Sequence, residues 1–264
     1  MFDAAGVEAG ERQELCLLEP SPPFFRNRLL SLLTPADVAL IGPSLEHVPL
    51  RVHDNLEAPN VNVAHAYFPE DGIVSVVASM PGGGDIEVGI IGRDGMTGTA
   101  TLLGDRLAVD RVFVQVAGSA HRISIDHLAV AVRKSARLRI VLMLYVRAFG
   151  VQVSSTALAN GRANIEVRLA RWLLLCRDRS ETDALKLTNE FLAIMLGVRR
   201  AGVTTALQTL RGRHLIDMGR GEVRISDRDG LTRLAGGAYG VPEGSYERLL
   251  GPLAWRPASS PKAA

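Results

Sequence analysis

Cysteine is scarce in this chain of 264 residues, and its scarcity excludes several classes of protein. The two cysteines, Cys16 and Cys176, lie far apart, so the sequence contains neither a disulfide framework nor a cysteine-rich zinc motif. Two thiolates are also too few for an ordinary iron–sulfur cluster, which takes four. We therefore expect no iron–sulfur cofactor.

Long uncharged apolar runs are also missing. The most apolar stretch, residues 140–153, is short and contains Arg147, so it does not predict a membrane span. Residues 1–16 have neither the basic nor the apolar segment of a secretory signal. The sequence predicts a cytoplasmic protein with no membrane partner.

Motifs of the common enzyme classes are absent as well. The sequence has no HExxH, phosphate-loop, Gly-x-Ser-x-Gly or paired-carboxylate pattern. A glycine triplet at 82–84 is followed by neither Gly-Lys-Ser/Thr nor the start of a helix, so it predicts a hairpin turn. We expect a protein that is not an enzyme.

Acidic residues are absent from residues 198–214, within a chain whose charge is unevenly distributed. The formal net charge is +2, but residues 1–70 hold 4 basic and 10 acidic residues, whereas residues 162–224 hold 12 and 7. A basic C-terminal third favours a polyanionic partner.

Residues 187–216 have the pattern of two short helices joined by a tight turn. Thr188 is a candidate N-cap, and Gly197 stands where the first helix must end, because glycine adopts a left-handed conformation at little cost. A small residue, the turn glycine and a branched apolar residue (Ala193, Gly197 and Val203) have the spacing of a helix-turn-helix.

The exposed face of the second predicted helix, residues 199–210, is basic and polar. The solvated face of an ordinary core helix, which is the alternative, usually mixes charges of both signs. This face therefore favours a helix that reads DNA. The candidate DNA-binding residues are Thr188, Arg199, Arg200, Ala201, Thr204, Thr205, Gln208 and Arg220.

Two alternating segments after this helix, residues 214–218 and 222–225, predict a hairpin placed like a wing. Arg220 stands at its glycine-rich tip and Arg224 on its second strand, where both could reach phosphates. A plain surface hairpin is the alternative.

Residues 45–125 alternate short apolar runs with turn signals, which is typical of an antiparallel β-roll or sandwich. The clearest turns are at 69–72 and 81–84. The predicted strands are 61–68, 72–79, 86–91, 112–116 and 120–125. Ahead of them, residues 27–41 predict one or two short helices, with a start signal at Thr34-Pro35.

Residues 126–179 are mostly helical in pattern, and no proline occurs between Pro81 and Pro242. Residues at alternating three- and four-residue steps predict a coiled-coil seam in a helix of roughly 28 residues, with a break near Asn160-Gly161. A two-fold dimer seam is favoured, and packing on the β-roll is the alternative. The seam residues are Val141, Leu144, Ala148, Val151, Ser155 and Leu158.

In this order of elements the chain resembles the Crp/Fnr family, that of the cyclic-AMP receptor protein and the fumarate–nitrate regulator. The resemblance covers roughly residues 27–226, and its most specific segments are LTNEFLAIMLGVRRAGVTTALQTLRGRHLI and YFPEDGIVSVV…IEVGIIGRDGMTG. It implies a homodimeric transcription regulator that binds double-stranded DNA at paired half-sites and senses a signal through its β-roll. RNA polymerase is a further candidate partner.

The fold class that follows is α+β: an antiparallel β-roll like the cyclic-nucleotide-binding jelly roll, a long central helix and a winged helix-turn-helix. The predicted division of the chain is a flexible lead-in (1–26), a β-roll sensor domain (27–128), a central dimerisation helix (129–163), a winged helix-turn-helix domain (164–235) and a C-terminal tail that frays (236–264). A short helix is expected at 227–234.

The recognition helix departs from the family pattern of an Arg-Glu pair with a second Arg four residues after the Glu. Arg200 matches the first Arg, but Ala201 stands in place of the Glu and Thr205 in place of the second Arg. The general function therefore carries over, whereas the familiar operator sequence is not expected.

The nucleotide pocket departs as well, since family members that bind cyclic nucleotides carry Gly-Glu for the ribose and Arg-Ser/Thr-Ala for the phosphate. This chain has Gly98-Thr99-Ala100 and Asp110-Arg111-Val112 at those places. Cyclic AMP is therefore not expected to bind, and the effector is left unassigned. His65, His121 and His127 are candidate haem ligands in principle, and an ordinary surface or core role is the alternative for such lone histidines in a β-roll.

A second class of function stays open at this point. The chain would then be a ligand-sensing module that acts on a protein partner, with the helix pair as a docking surface. Salt-dependent binding to duplex DNA separates the two classes, because neutralised phosphates release counterions.

Overall fold

The computed structural model describes residues 25–80, 82–180, 184–219 and 221–252. Nearly all of the predicted lead-in (1–26) lies outside these ranges. In the described residues the chain forms an antiparallel β-roll, a long central helix and a helix-turn-helix with a wing. The predicted fold class is confirmed.

Two short helices precede the β-roll, α1 (Arg28–Ser31) and α2 (Pro35–Ile41). Asn27 caps α1 by accepting from two backbone amides, those of Leu29 at 3.0 Å and Leu30 at 3.2 Å. A capping box between Thr34 and Asp37 starts α2, with proline in its first turn. The predicted helix start at Thr34-Pro35 is confirmed.

The β-roll consists of two antiparallel sheets, one with strand order β1-β7-β3 and one with order β2-β6-β4-β5. Buried residues of both sheets, including Leu50, Val74, Val114 and Ala120, form a shared core. The strands are β1 (Glu46–Leu50), β2 (Asn55–Glu57), β3 (His65–Pro69), β4 (Ile73–Ser79), β5 (Asp85–Ile91), β6 (Arg111–Val116) and β7 (Gly118–Ser124).

Sequence reasoning missed two of these strands and set one bound wrongly. β1 and β2 carry polar residues at exposed positions and lack the apolar alternation that marked the others. The strand predicted from residue 61 begins only at His65, and the segment before it makes an isolated bridge from Asn62 to Leu107.

Strand β4 is buried on both faces. Val74 and Val76 point into the core between the two sheets. Ile73 and Val77 belong instead to a second core, which they share with the helices of the C-terminal half. The outer face of the four-stranded sheet is therefore the surface on which the C-terminal half of the chain packs.

A short helix, α3 (Thr99–Leu102), lies between strands β5 and β6. Three helices follow the roll: α4 (Ile125–Lys134), α5 (Ala136–Arg162) and α6 (Ile165–Arg179). Ser135 is extended (φ −117°, ψ 113°) and caps α5, so the predicted single segment 129–163 contains a break at its N-terminal end. A second break after Arg162 confirms the one predicted near Asn160-Gly161.

Helix α5 turns one face toward its own protomer, and this corrects the predicted seam. Val141 and Ala148 are buried against the roll and neighbouring helices, at 8% and 4% exposure, because they share the inward face with Leu138 and Tyr145. Leu158, by contrast, is 63% exposed. Leu144, Val151 and Ser155 are half-buried.

Among the described residues, α5 is the helix that is long and apolar enough to cross a membrane by length and composition. Core helices of soluble proteins meet the same criterion. Its inward face packs in a core with the β-roll, which gives its apolar residues partners within the protein.

The C-terminal part contains the helix-turn-helix and its wing. The helix pair consists of α7 (Asn189–Leu196) and α8 (Arg200–Gly212), and α9 (Arg228–Ala235) is the short helix expected at 227–234. The wing sheet has strand order β8-β10-β9 and contains β8 (Ala184–Lys186), β9 (Ile216–Gly219) and β10 (Glu222–Ile225). Strand β8 was not predicted.

The predicted frayed tail is wrong for residues 241–250, and residues 253–264 of that tail lie outside the described residues. Val241–Leu250 forms a further helix, α10, which packs against α5. Proline in its first turn is compatible with a helix start, and Glu243 accepts from the Gly240 amide at 2.8 Å. Composition rich in glycine and alanine concealed this helix.

Candidate nucleic-acid interface

The turn between α7 and α8 has the geometry predicted for a helix-turn-helix. The Thr188 hydroxyl accepts from the Phe191 amide at 3.2 Å and so caps α7. Gly197 ends the helix in a left-handed conformation, φ 57°. A Cβ at Gly197 would lie 2.8 Å from the Ile86 side chain, so conformation and crowding both require glycine.

Helix α8 has one apolar and one polar face. Its apolar face is fully buried against the rest of the domain and consists of Val203, Ala206, Leu207 and Leu210. The opposite face is exposed and holds Arg200, Ala201, Thr204, Thr205 and Gln208, as predicted. The sequence pattern therefore placed the candidate base-reading side chains on a single face.

The threonine hydroxyls on this face make local hydrogen bonds. Thr204 donates to the Arg200 carbonyl at 3.1 Å, and Thr205 donates to the Ala201 carbonyl at 3.1 Å. Asn189, at the start of α7, donates from its side-chain amide to Thr204 Oγ1 at 3.1 Å. Asn189 therefore joins the interface from the neighbouring helix, which sequence reasoning missed.

An acidic residue does reach this face, from outside the acid-free segment. Glu190 in the first turn of α7 forms an ion pair with Arg200. Both side chains are about two-thirds exposed, at 65% and 64%. Such surface pairs contribute about 0–1 kcal/mol, so a DNA ligand can displace Glu190 at small cost.

Arg199 is the N-cap residue of α8 and is exposed, one position before Arg200. It makes no side-chain cap, so the first amides of the helix face outward beside two guanidinium groups. A helix N-terminus of this kind favours phosphate. Arg211 and Arg213, at the other end of α8, are also exposed and were not singled out from the sequence.

The wing is formed as predicted, but its tip lies outside the described residues, and Arg220 with it. Arg224 on β10 is exposed and pairs with Glu222 at 3.2 Å. Its register partner across the hairpin is Asp217 on β9.

A cavity of about 260 Å³ opens in the β-roll at the two places where the family pattern would hold a cyclic nucleotide. Gly98, Thr99 and Ala100 line it from one side and Asp110 and Val112 from the other. The two segments compared with the family's nucleotide pocket therefore line one cavity.

The charge of this cavity is acidic. Glu57, Asp105 and Asp110 line it, and no basic side chain of the described residues does. Burial raises the pKa of Glu57, whose carboxylate accepts from the Gly98 amide at 2.7 Å, and burial also raises the pKa of Asp110. The described lining of the cavity offers no cation that would offset these carboxylates.

Arg111, the arginine of the segment compared with the family's phosphate site, makes its contacts outside the cavity lining. Its guanidinium stacks over the Phe113 ring at 4.3 Å, and its Nε donates to Asn55 at 3.0 Å. The histidines considered for haem do not converge either. Within the described ranges, no group of three or more His, Cys, Asp or Glu is placed to hold a metal ion.

His121 has ordinary structural neighbours. It is half-buried on β7, packs edge-on against the Phe25 ring and lies 3.6 Å from Glu70. Burial lowers its pKa, partly offset by Glu70. His65 is half-buried opposite Ser124, and His127 is exposed in the first turn of α4.

Comparison with known proteins supports this interface. Residues 167–234 match the family model of the Crp-like helix-turn-helix domain. Among curated protein sequences, none matches the chain.

Solved structures show the same fold over most of the chain. FixK2 from Bradyrhizobium japonicum is 16% identical with a TM-score of 0.64, covering 74% of this chain and 99% of its own. A putative Crp/Fnr regulator from Eubacterium rectale is 18% identical with a TM-score of 0.62, covering 78% and 97%. The c-di-GMP-responsive regulator CLP from Xanthomonas campestris is 15% identical with a TM-score of 0.60, covering 73% and 99%.

The matched domain supports DNA binding by the helix-turn-helix. The chain therefore shares the fold of the Crp/Fnr regulators and carries a Crp-like helix-turn-helix domain at residues 167–234. The resemblance seen in the sequence is confirmed.

Proposed function

We propose that this chain is a homodimeric, cytoplasmic transcription regulator that reads paired half-sites in double-stranded DNA with α8. The single observation that carries the proposal is the exposed polar face of α8, with Arg199 and Arg200 at the end that approaches base edges. The residues proposed to contact DNA are Thr188, Arg199, Arg200, Ala201, Thr204, Thr205, Gln208 and Arg220.

The two arginines are proposed to have different roles. Arg200 has a planar fork that can bond bidentately to guanine O6 and N7. Arg199 precedes the helix and lies about 100° around its axis, so it is placed for the phosphate backbone. In the free protein Arg200 is paired with Glu190, and a base is proposed to replace the carboxylate on binding.

The dimer is proposed to form along the part of α5 that its own protomer leaves uncovered. Ile140, at 56% exposure, and Leu158, at 63%, stand at the two ends of this stripe, with half-buried Leu144 and Val151 between them. Steps of four, seven and seven residues keep all four on one side of a helix. A partner helix there would remove from water the apolar side chains that make α5 resemble a membrane helix.

The β-roll is proposed as a sensor domain that does not bind cyclic AMP. The phosphate of a cyclic nucleotide would enter a cavity lined by Glu57, Asp105 and Asp110, with Arg111 turned to Phe113. Like charges without a compensating cation oppose such binding. The functional division proposed is a sensor at 27–128, a central dimerisation segment at 129–163, and a DNA-binding unit at 164–235.

Duplex binding by the purified full-length protein tests the proposal against action through a protein partner. We expect affinity for a duplex to fall steeply between about 50 and 200 mM salt, because each neutralised phosphate releases a counterion. Arg133→Ala, in an exposed arginine of α4, is the matched control and should leave the salt dependence unchanged. Absence of duplex binding at low salt would favour the protein-partner alternative.

A further inference from the structure

The chain continues past the end of the helix-turn-helix family match at residue 234, and the continuation returns to the other half of the molecule. Gly236–Ala238 forms a 3-10 turn, and α10 then lies along α5. Tyr246 and Leu250 of α10 are 6% and 5% exposed and belong to the core of the β-roll and central helix. The DNA-binding unit is therefore joined to the rest of the molecule at its N-terminal end through α5 and at its C-terminal end through the packing of α10.

Hydrogen bonds fix α10 in this position. The Tyr246 hydroxyl donates to the Asp94 carbonyl at 2.6 Å, in the loop that follows β5. Arg28 of α1 donates to the Leu250 carbonyl at 3.1 Å. These partners come from two parts of the sensor half that are far apart in sequence, so α10 acts as a strap across it.

In this arrangement the DNA-binding unit packs against the four-stranded sheet of the roll. Arg179, at the end of α6, forms a buried ion pair with Asp94 at 2.6 Å. Trp172 donates from its indole to Glu87 of β5 at 2.7 Å. The strap and the docked face share Asp94, so release of one weakens the other.

Docking places Phe191 of α7 and the turn at Gly197 against the roll, while Thr188 and the polar face of α8 stay exposed. Phe191 in α7 packs edge-on against Phe113 of β6, with ring centroids 5.9 Å apart. Ile86 of β5 packs on the turn at Gly197, and the exposed acidic Asp85 adjoins it. In helix-turn-helix complexes the first helix crosses the DNA backbone, so the roll and the phosphates compete for this place.

We propose that α10 is an autoinhibitory strap, which holds the DNA-binding unit docked on the β-roll, and that its release permits tight binding to DNA. This inference rests on the proposed function as a DNA-binding regulator. The regulated element is the contact of α10 with α5, a surface distinct from the cavity of the roll.

Two variants of the full-length protein test the strap, together with a control. Leu250→Asp places a charge in the core contact, and Tyr246→Phe removes only the hydroxyl that bonds to Asp94. Arg248→Ala changes an exposed residue on the same helix and serves as the control. Deuterium uptake of α10, β5 and α7 measures undocking without DNA, and fluorescence anisotropy measures affinity for a random-sequence duplex.

We expect Leu250→Asp to raise deuterium uptake in all three elements and to raise duplex affinity by about tenfold or more. Tyr246→Phe should move both readouts in the same direction, by about threefold in affinity, as the loss of one neutral hydrogen bond implies. Arg248→Ala should change neither. If Leu250→Asp fails to fold, Tyr246→Phe alone decides.

Two results would overturn the strap. One is unchanged uptake at α7 and β5 in the strap variants, and the other is faster uptake there with equal or weaker duplex affinity. Failure of the underlying function looks different, since wild type, control and both variants would then all fail to bind duplex at low salt, whatever their uptake.

Discussion

Glu87 offers a direct test of how the sensor and DNA-binding halves are joined. It is 4% exposed on β5, and its carboxyl oxygens bond to Trp172 Nε1 and to Ser75 Oγ, both at 2.7 Å. Burial raises its pKa from 4.5 to about 8, although Arg171 and Arg179 oppose the rise. The raised pKa favours a protonated Glu87 in the folded protein at neutral pH.

The raised pKa sets the sign of the pH dependence. Between pH 4.5 and about 8 the folded state binds more protons at this site than the unfolded state, so the free energy of unfolding falls as pH rises. At about 1.4 kcal/mol per pKa unit, the loss amounts to about 5 kcal/mol above pH 8. Below pH 4.5 both states are protonated and the cost disappears.

Glu87→Gln should remove this cost. A glutamine is neutral at all these pH values, and its carboxamide can accept from Trp172 and donate to Ser75. We expect urea unfolding to give similar stabilities for variant and wild type at pH 5, and a variant more stable by about 3 kcal/mol or more at pH 9. A stability difference that does not change with pH would refute the buried, protonated carboxyl.

Three further predictions concern assembly, the effector and recognition. Leu158→Asp should shift the protein toward monomer and weaken DNA binding, because a charge in the proposed dimer seam must be desolvated. Light scattering measures the oligomeric state, and Ala157→Asp, at an exposed position next to Leu158, is the control. An unchanged dimer for Leu158→Asp would contradict the seam assignment. Calorimetry should show little or no binding of cyclic AMP, and a micromolar dissociation constant with enhanced DNA affinity would contradict the acidic cavity. Glu190→Gln should raise duplex affinity modestly, by less than about tenfold, because it frees Arg200 and removes a negative charge near phosphate. Anisotropy titration measures this affinity. Weaker binding by the variant would mean that the ion pair positions Arg200 for DNA.

Local signals explain why the helix-turn-helix was predictable from sequence. Thr188, Gly197 and the apolar positions of α8 act within one motif, through a cap, a left-handed turn and a helical face. The pairing of Arg200 with Glu190 was not foreseen, because the acid stands outside the segment whose charge was considered. The amino-acid composition of one helix does not show which residue of the neighbouring helix will contact it.

Contacts between distant parts of the chain explain what the sequence analysis missed. Strand β4 is buried without interruption from Ile73 to Val77, which is typical of a strand covered on both faces. This apolar run was the signal in the sequence that the C-terminal helices pack on the outer face of the sheet. The heptad pattern in α5 found an apolar helix but not the rotation that turns Val141 inward. Helix α10 is stabilised by α5, which no local pattern in its own segment records.

The proposal that α8 reads bases is tested most directly by comparing Arg200→Ala with Arg199→Ala on a randomised half-site library at two salt concentrations. Arg200→Ala should cost about 1–3 kcal/mol on the preferred site and relax the choice at one base position in each half-site. Arg199→Ala should weaken preferred and random duplexes alike and reduce the salt slope by about one per site. An Arg200→Ala protein that loses the same affinity for every sequence would contradict base reading by α8.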